Sequence, residues 1–146
     1  KEFEGTYKDG KEDGLTTGWF ENGQKRVEIT YKDGKEISET KWEYYSNRQK
    51  KSERTFKDGK EDGLWTSWYR NGQKRTESNF INGTVDGYYG KWDENGQITD
   101  EGMMNMDGDV WFKIYENGVL VDKELGNCYN EQGESIECSE KYLKGW

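Results

Sequence analysis

Short glycine-centred turns recur along the chain every 24 or 25 residues, and they limit what it can fold into more than any other feature. One series reads Lys8-Asp9-Gly10, Lys32-Asp33-Gly34, Lys57-Asp58-Gly59, Ile81-Asn82-Gly83 and Met106-Asp107-Gly108. A second reads Glu21-Asn22-Gly23, Ser46-Asn47-Arg48, Arg70-Asn71-Gly72, Glu94-Asn95-Gly96 and Glu116-Asn117-Gly118. Asp-Gly and Asn-Gly pairs mark strand reversals because both residues tolerate positive φ. The two series alternate about 11–14 residues apart, compressed to 10 in the fifth repeat, leaving room for one strand between turns. Proline is absent, so no strand is barred from pairing on that account. The expected fold is all-β: an elongated antiparallel β-meander of about five hairpin repeats, largely a single-layer twisted sheet. Residues 1–120 form the repeats, and 121–146 a divergent C-terminal hairpin cap and tail of the same domain.

Composition bears on whether such a sheet can fold. Only 29% of residues are hydrophobic, 36% are charged, and the net charge is −8, a combination typical of disorder. Against that stand seven Trp, ten Tyr and five Phe, recurring in register. Each buries roughly 150–250 Å², enough for a thin core.

Side-chain alternation predicts the faces. Leu15, Thr17 and Trp19 share a parity with Thr40, Trp42 and Tyr44, and with Leu64, Thr66 and Trp68; in the fourth repeat the set is Tyr88, Gly90 and Trp92. Tyr31, Phe56, Phe80 and Met104 form a hydrophobic column on the return strands. A three-residue loop with a bulge sets Trp19 near Val27 and Leu15 near Tyr31, whereas a two-residue loop pairs Trp19 with Arg26. Burial favours the first, giving one apolar face and one polar face. The polar face is then expected to carry an Arg26, Lys51, Arg75 column beside Glu28, Glu53, Glu77 and Glu101. It also carries an aromatic stripe of Phe20, Tyr45, Tyr69 and Tyr115, flanked by Trp65, Tyr89 and Trp111.

Across residues 5–120 the pattern aromatic-Lys-Asp-Gly-Lys-x-Asp-Gly, then Trp-Tyr/Phe-x-Asn-Gly-Gln-Lys, resembles the bacterial variant of the MORN repeat. Tyr31–Lys35, Phe56–Trp65 and Trp68–Lys74 carry the likeness. The second repeat departs from it: Arg48 replaces the turn glycine, and Glu39 stands where Gly14, Gly63 and Gly87 occur. The resemblance implies an antiparallel meander and protein–protein interaction rather than a reaction. Some bacterial members are labelled YwqK-like antitoxins and others are surface-associated, so neutralisation of a partner protein is one implied function.

Chemistry is sparse. With no His there is no Ser–His or Cys–His pair, and the commonest general base and metal ligand are missing. No phosphate-binding glycine loop occurs, and the Asp-Gly segments lack the ligand spacing of a calcium loop. The carboxylates repeat rather than forming one unique pair. No catalytic residue, metal or cofactor is expected. The acidic balance argues against nucleic acid as a partner, and no apolar run approaches the ~18–20 residues of a membrane helix. Another protein is the expected partner. A cell-surface glycan or choline-like ligand on the aromatic platforms is the alternative, with Tyr69→Ala as its test. The Glu ladder reads first as a solvated face balanced by Arg26, Lys51 and Arg75. Cys128 and Cys138 flank Glu131-Gln132-Gly133 almost symmetrically, so a cross-strand disulfide and an exported protein are expected. The chain starts at Lys1 inside a half-repeat, the start expected of a processed chain or of a piece of a longer one.

Overall fold

The computed structural model describes residues 2–105, 108–124, 128–129 and 135–136. Among them every regular element is a strand: β1 (Phe3–Lys8), β2 (Lys11–Trp19), β3 (Lys25–Lys32), β4 (Lys35–Tyr44), β5 (Lys50–Lys57), β6 (Lys60–Glu61), β7 (Gly63–Trp68), β8 (Lys74–Ile81), β9 (Thr84–Trp92), β10 (Ile98–Asn105), β11 (Gly108–Glu116), β12 (Val119–Glu124), β13 (Cys128–Tyr129) and β14 (Ser135–Ile136). The first twelve make one antiparallel sheet in chain order, with β6 and β7 both pairing β5. β13 and β14 form a separate two-stranded ladder. This is the meander that the turn periodicity predicts.

The turns explain the order. In the first series both central residues have positive φ: Asp9 and Gly10, Asp33 and Gly34, Asp58 and Gly59, Asn82 and Gly83. That is the two-residue reversal whose twist matches the strands it joins. Asn117-Gly118 (φ 50° and 76°) belongs with this series, not with the second one where its Glu-Asn-Gly spelling places it. The second series is a longer reversal. The Phe20 N–H donates to the Gln24 carbonyl at 2.8 Å, and the Gly23 N–H to the Phe20 carbonyl at 2.9 Å. Only the last turn residue is left-handed, namely Gly23, Arg48, Gly72 and Gly96. Arg48 holds φ 67° where its counterparts are glycine. A left-handed L-residue costs roughly 1–2 kcal/mol, and glycine's extra chain entropy offsets about half of that. Arg48→Gly should therefore raise stability by about 0.5–1 kcal/mol, read as a melting point higher by a few degrees.

The strand register corrects the expected faces. Gly18 pairs with Val27 and Thr17 with Glu28, while Trp19 faces Lys25. Arg26 is the extra residue of a β-bulge, so the rest of the hairpin sits one residue away from the favoured pairing. The same bulge recurs at Lys51 and Arg75. A one-residue change moves the return strand to the other side. Glu28, Glu53 and Glu77 thus lie on the face of Thr17, Trp42 and Thr66. Tyr31, Phe56 and Phe80 lie on the opposite face with Val27. Neither face is purely apolar or purely polar.

Burial is correspondingly thin. Val27 and Trp42 are the buried hydrophobic residues among those described, beside buried Thr16, Thr17, Ser52, Thr66 and Ser78. The small hydroxyl residues pave the sheet, and aromatic rings and aliphatic stems lie over them. Gly14, Gly63 and Gly87 each hold φ +106°, within a bulge of their own strand against the strand before it. Glu39 cannot follow them there. The second repeat instead has one more residue in this strand, and its pairing slips between Ser38 and Glu36, leaving Ile37 43% exposed. That extra residue accounts for the 25-residue intervals Gly34–Gly59 and Gly23–Arg48.

Candidate interaction face

The two faces differ in how their charges are spent. On the Trp42 face, Lys25, Lys50 and Lys74 each bond a glutamate three residues on, Glu28, Glu53 and Glu77. Each lysine also lies over an aromatic ring of the next repeat: Lys25 over Trp42 at 5.6 Å, Lys50 over Trp68 at 5.3 Å and Lys74 over Trp92 at 5.0 Å. The Thr17 hydroxyl donates to Glu28 at 3.4 Å. This Lys–Glu–Trp unit closes the face on itself, and the glutamate ladder's partners are these lysines rather than Arg26, Lys51 and Arg75. Glu101 is held differently, accepting from the Tyr115 hydroxyl at 2.7 Å and facing Lys113 at 3.4 Å.

Tyr115 is consequently not a member of the stripe that contains Phe20, Tyr45 and Tyr69. Those three open the second-series turns. The Tyr45 hydroxyl donates to the Trp68 carbonyl at 2.8 Å, and the Tyr69 hydroxyl to the Trp92 carbonyl at 2.9 Å. Asparagines run parallel to them, Asn47 to the Arg70 carbonyl and Asn71 to the Glu94 carbonyl. These bonds stitch one repeat's turn to the next. Phe20, 38% exposed, meets the Tyr44 ring edge-on at 6.1 Å. The hollow of about 550 Å³ beside Phe20, Tyr44, Tyr45 and Arg48 therefore has walls already committed to holding the turns together. On the other edge Asp13 does the same work. It accepts from the Asp33 backbone N–H at 3.1 Å and from Lys32 at 3.2 Å, and these bonds hold its carboxyl below the usual range.

The opposite face gathers cations and rings, with Arg54 paired to Glu61 at 3.3 Å and Lys91 to Asp100 at 3.6 Å. A basin of about 440 Å³ crosses several strands there, its floor made of Ser52, Ser67 and Thr76 and its walls including Trp65 and Tyr89. Lys51, Arg54, Arg75 and Lys91 rim it, with Glu43 as the acidic counterpart on the lining. Trp65 lies under the Arg54 guanidinium at 5.0 Å and edge-on to Phe80 at 6.0 Å, and Tyr89 stacks on Phe112 at 6.2 Å. Lys51 pairs with Glu43 at 3.0 Å, which lowers the Glu43 carboxyl's pKa. Arg75 sits over the Tyr69 ring at 5.7 Å, and Arg26 over Phe3 at 5.1 Å. The expected contact residues therefore divide. Tyr45, Trp65, Tyr89, Lys51 and Arg75 come together at the basin, while Phe20, Tyr115, Glu28, Glu53 and Glu77 do not line it. Arg54 and Lys91 join them although sequence parity did not single them out; only the cross-strand pairing brings them alongside. The Trp111 side chain and Cys138 lie outside the described residues. Cys128 faces Ile136 in the β13–β14 ladder.

Residues 12–33 and 61–82 match the family described as the MORN repeat variant. Both segments are similar to that repeat. Each runs from the Glu-Asp-Gly before a Leu through the bulged hairpin to the next reversal, so the matched unit is one bulge cation, one Lys–Glu pair and one inter-repeat Asp. MORN repeats are commonly modules for binding proteins or ligands. No curated protein matches the chain. Among the described residues no group of three or more acidic or sulfur ligands is placed to hold a metal ion. No helix of the described residues is long and apolar enough to cross a membrane.

Burial also marks two phenols. Those of Tyr88 and Tyr115 are pushed up to about 12, by desolvation first and by the nearby Glu101 carboxylate second. A raised phenol favours the neutral form in the folded state, so its contribution to stability is complete below pH ~10 and is lost as pH rises towards 12. Absorbance at 295 nm should show Tyr88 and Tyr115 ionising late, with burial also raising the phenols of Tyr31, Tyr44 and Tyr89. Phe at position 115 should remove one late phenol and flatten the alkaline loss of stability.

Proposed function

We propose that this chain is a non-catalytic interaction module whose basin around Trp65 and Tyr89 receives a segment of a partner protein. The observation that carries the reading is the concentration of Trp, Tyr and Arg at one basin of the sheet. These three residue types dominate the energetic centres of protein interfaces. The ring faces support a protein partner over a sugar: Tyr89 is stacked on Phe112 and Trp65 is covered by Arg54, so neither offers a bare platform.

A photo-cross-linking residue at Lys91, on the rim, should yield a defined adduct with the partner, whereas one at Lys25 on the opposite face should not. Tyr89→Ala should weaken capture of that partner at least about tenfold, the loss of roughly 1.4 kcal/mol or more expected of an interface anchor. Phe20→Ala at the turn edge should leave capture intact. Equal cross-linking from both faces sinks the proposal, and so does saturable glycan binding abolished by Tyr89→Ala.

A further inference from the structure

The β-bulges do more than shift the register. At each of three successive second-series hairpins the bulge holds one extra residue, and in each case it is a cation: Arg26 in β3, Lys51 in β5 and Arg75 in β8. The bulge separates each cation from the lysine before it. Lys25, Lys50 and Lys74 turn to the Trp42 face and are neutralised by Glu28, Glu53 and Glu77. Arg26, Lys51 and Arg75 turn the other way and stay exposed. Among the described residues Arg26 and Arg75 have rings beneath them and no carboxylate partner. Lys51 has only the exposed Glu43, a pair broken at little cost. The residue before the bulge partner is Gly18, Glu43 and Ser67 in the three hairpins, so acid accompanies the ladder at one rung of three.

Consecutive rungs are two strands apart in the sheet. At about 4.8 Å between neighbouring strands, that is a spacing of roughly 9.6 Å. A polyproline II helix has three residues per turn and rises about 3.1 Å per residue, so side chains at every third position project from one side about 9.3 Å apart. A β-strand cannot match this, because residues three apart point to opposite sides. We propose that the Arg26–Lys51–Arg75 ladder binds an unfolded acidic protein segment that carries a carboxylate at every third residue and lies across the strands in the polyproline II conformation. This rests on the same face being the docking face, and it names what part of the partner that face reads. Charge complementarity favours a foreign segment over this chain's other face, whose glutamates are already paired. The fourth bulge residue is Thr99, which bonds the Lys91 carbonyl and Asp100, so the ladder stops at three rungs.

The test uses the full chain and two fluorescein-labelled peptides of the same Ser, Pro and Glu composition. One has its three glutamates at every third position, the other has them contiguous. By fluorescence anisotropy the spaced peptide should saturate below about 1 mM and bind about tenfold more tightly than the contiguous one. Arg75→Glu and Arg26→Glu should each weaken it about tenfold, and Arg75→Lys should restore most of the loss. A thermal melt of each variant shows that it is folded. Equal affinity for the two peptides overturns the proposal, because unspecific attraction has no preference for spacing. So does failure to bind either one; if a partner still cross-links at Lys91, the ladder inference has failed while the docking face stands. The chain's own Glu131, Glu134, Glu137 and Glu140 share the threefold spacing. Concentration-dependent self-association lost in Arg75→Glu, seen by sedimentation without peptide, would replace the foreign segment by a second copy and overturn the proposal as stated.

Discussion

Replacing Trp42 with alanine should destabilise the sheet by roughly 3–5 kcal/mol, the usual cost of removing a buried aromatic side chain. Trp42 is 9% exposed and shares the buried hydrophobic positions of the described residues with Val27 alone. It pairs with Glu53 across β4 and β5, and the Lys25 ammonium of the preceding repeat lies over its ring. Its loss therefore breaks contacts on both sides at once. A domain has about 5–15 kcal/mol in total, so the variant should be close to unfolding. The damage should also be local in the first instance, because stacked repeats are held by nearest-neighbour contacts. Amide hydrogen exchange should speed up across β3, β4 and β5 well before it does in β8, β9 and β10. Uniform loss of protection, or a cost below about 1 kcal/mol, would show that Trp42 is not the centre of a repeat-wise core.

Gly90→Thr is the second large effect, and its sign runs against consensus reasoning. Thr17 and Thr66 occupy the equivalent place in the first and third repeats, each opposite a glutamate, and both are buried. Restoring threonine in the fourth repeat makes the sequence more regular, a change that commonly adds stability. Here a Cβ on Gly90 would lie 2.5 Å from the Trp92 ring and 2.6 Å from the Tyr88 hydroxyl. Both rings must move off the strand, and overpacking of this kind costs about 1–3 kcal/mol. A urea denaturation curve should shift to a lower midpoint by that amount. The double variant Gly90→Thr with Tyr88→Leu, matching the leucines at positions 15 and 64, should recover part of the loss. If Gly90→Thr alone were stabilising, the two rings could not be packed against the bare backbone as described.

The turns were legible in the sequence because they are local. Asp-Gly and Asn-Gly spell their own φ values, and four of the first-series reversals carry positive φ at both central residues. Asn117-Gly118 was misplaced for the same reason: its letters are those of the second series, and only the pairing of Tyr115 with Leu120 and Glu116 with Val119 shows a two-residue loop. For the aromatic stripe, spacing alone does not show what the side chains bond. Phe20, Tyr45 and Tyr69 have the spacing of a platform, yet the hydroxyls of Tyr45 and Tyr69 reach carbonyls 23 residues away. Alternation within one strand carries no information about a neighbour's backbone.

By itself the sequence determined the strand order, the repeat length and the absence of histidine chemistry, all properties of composition or of residues a few positions apart. Which side each column occupies was decided only by the tertiary structure. Side-chain direction reverses with every residue, so one bulged position per hairpin is enough to exchange the faces. That position holds Arg26, Lys51 and Arg75. It sends the glutamates to the face where lysines neutralise them, and leaves the three cations on the face with Trp65 and Tyr89.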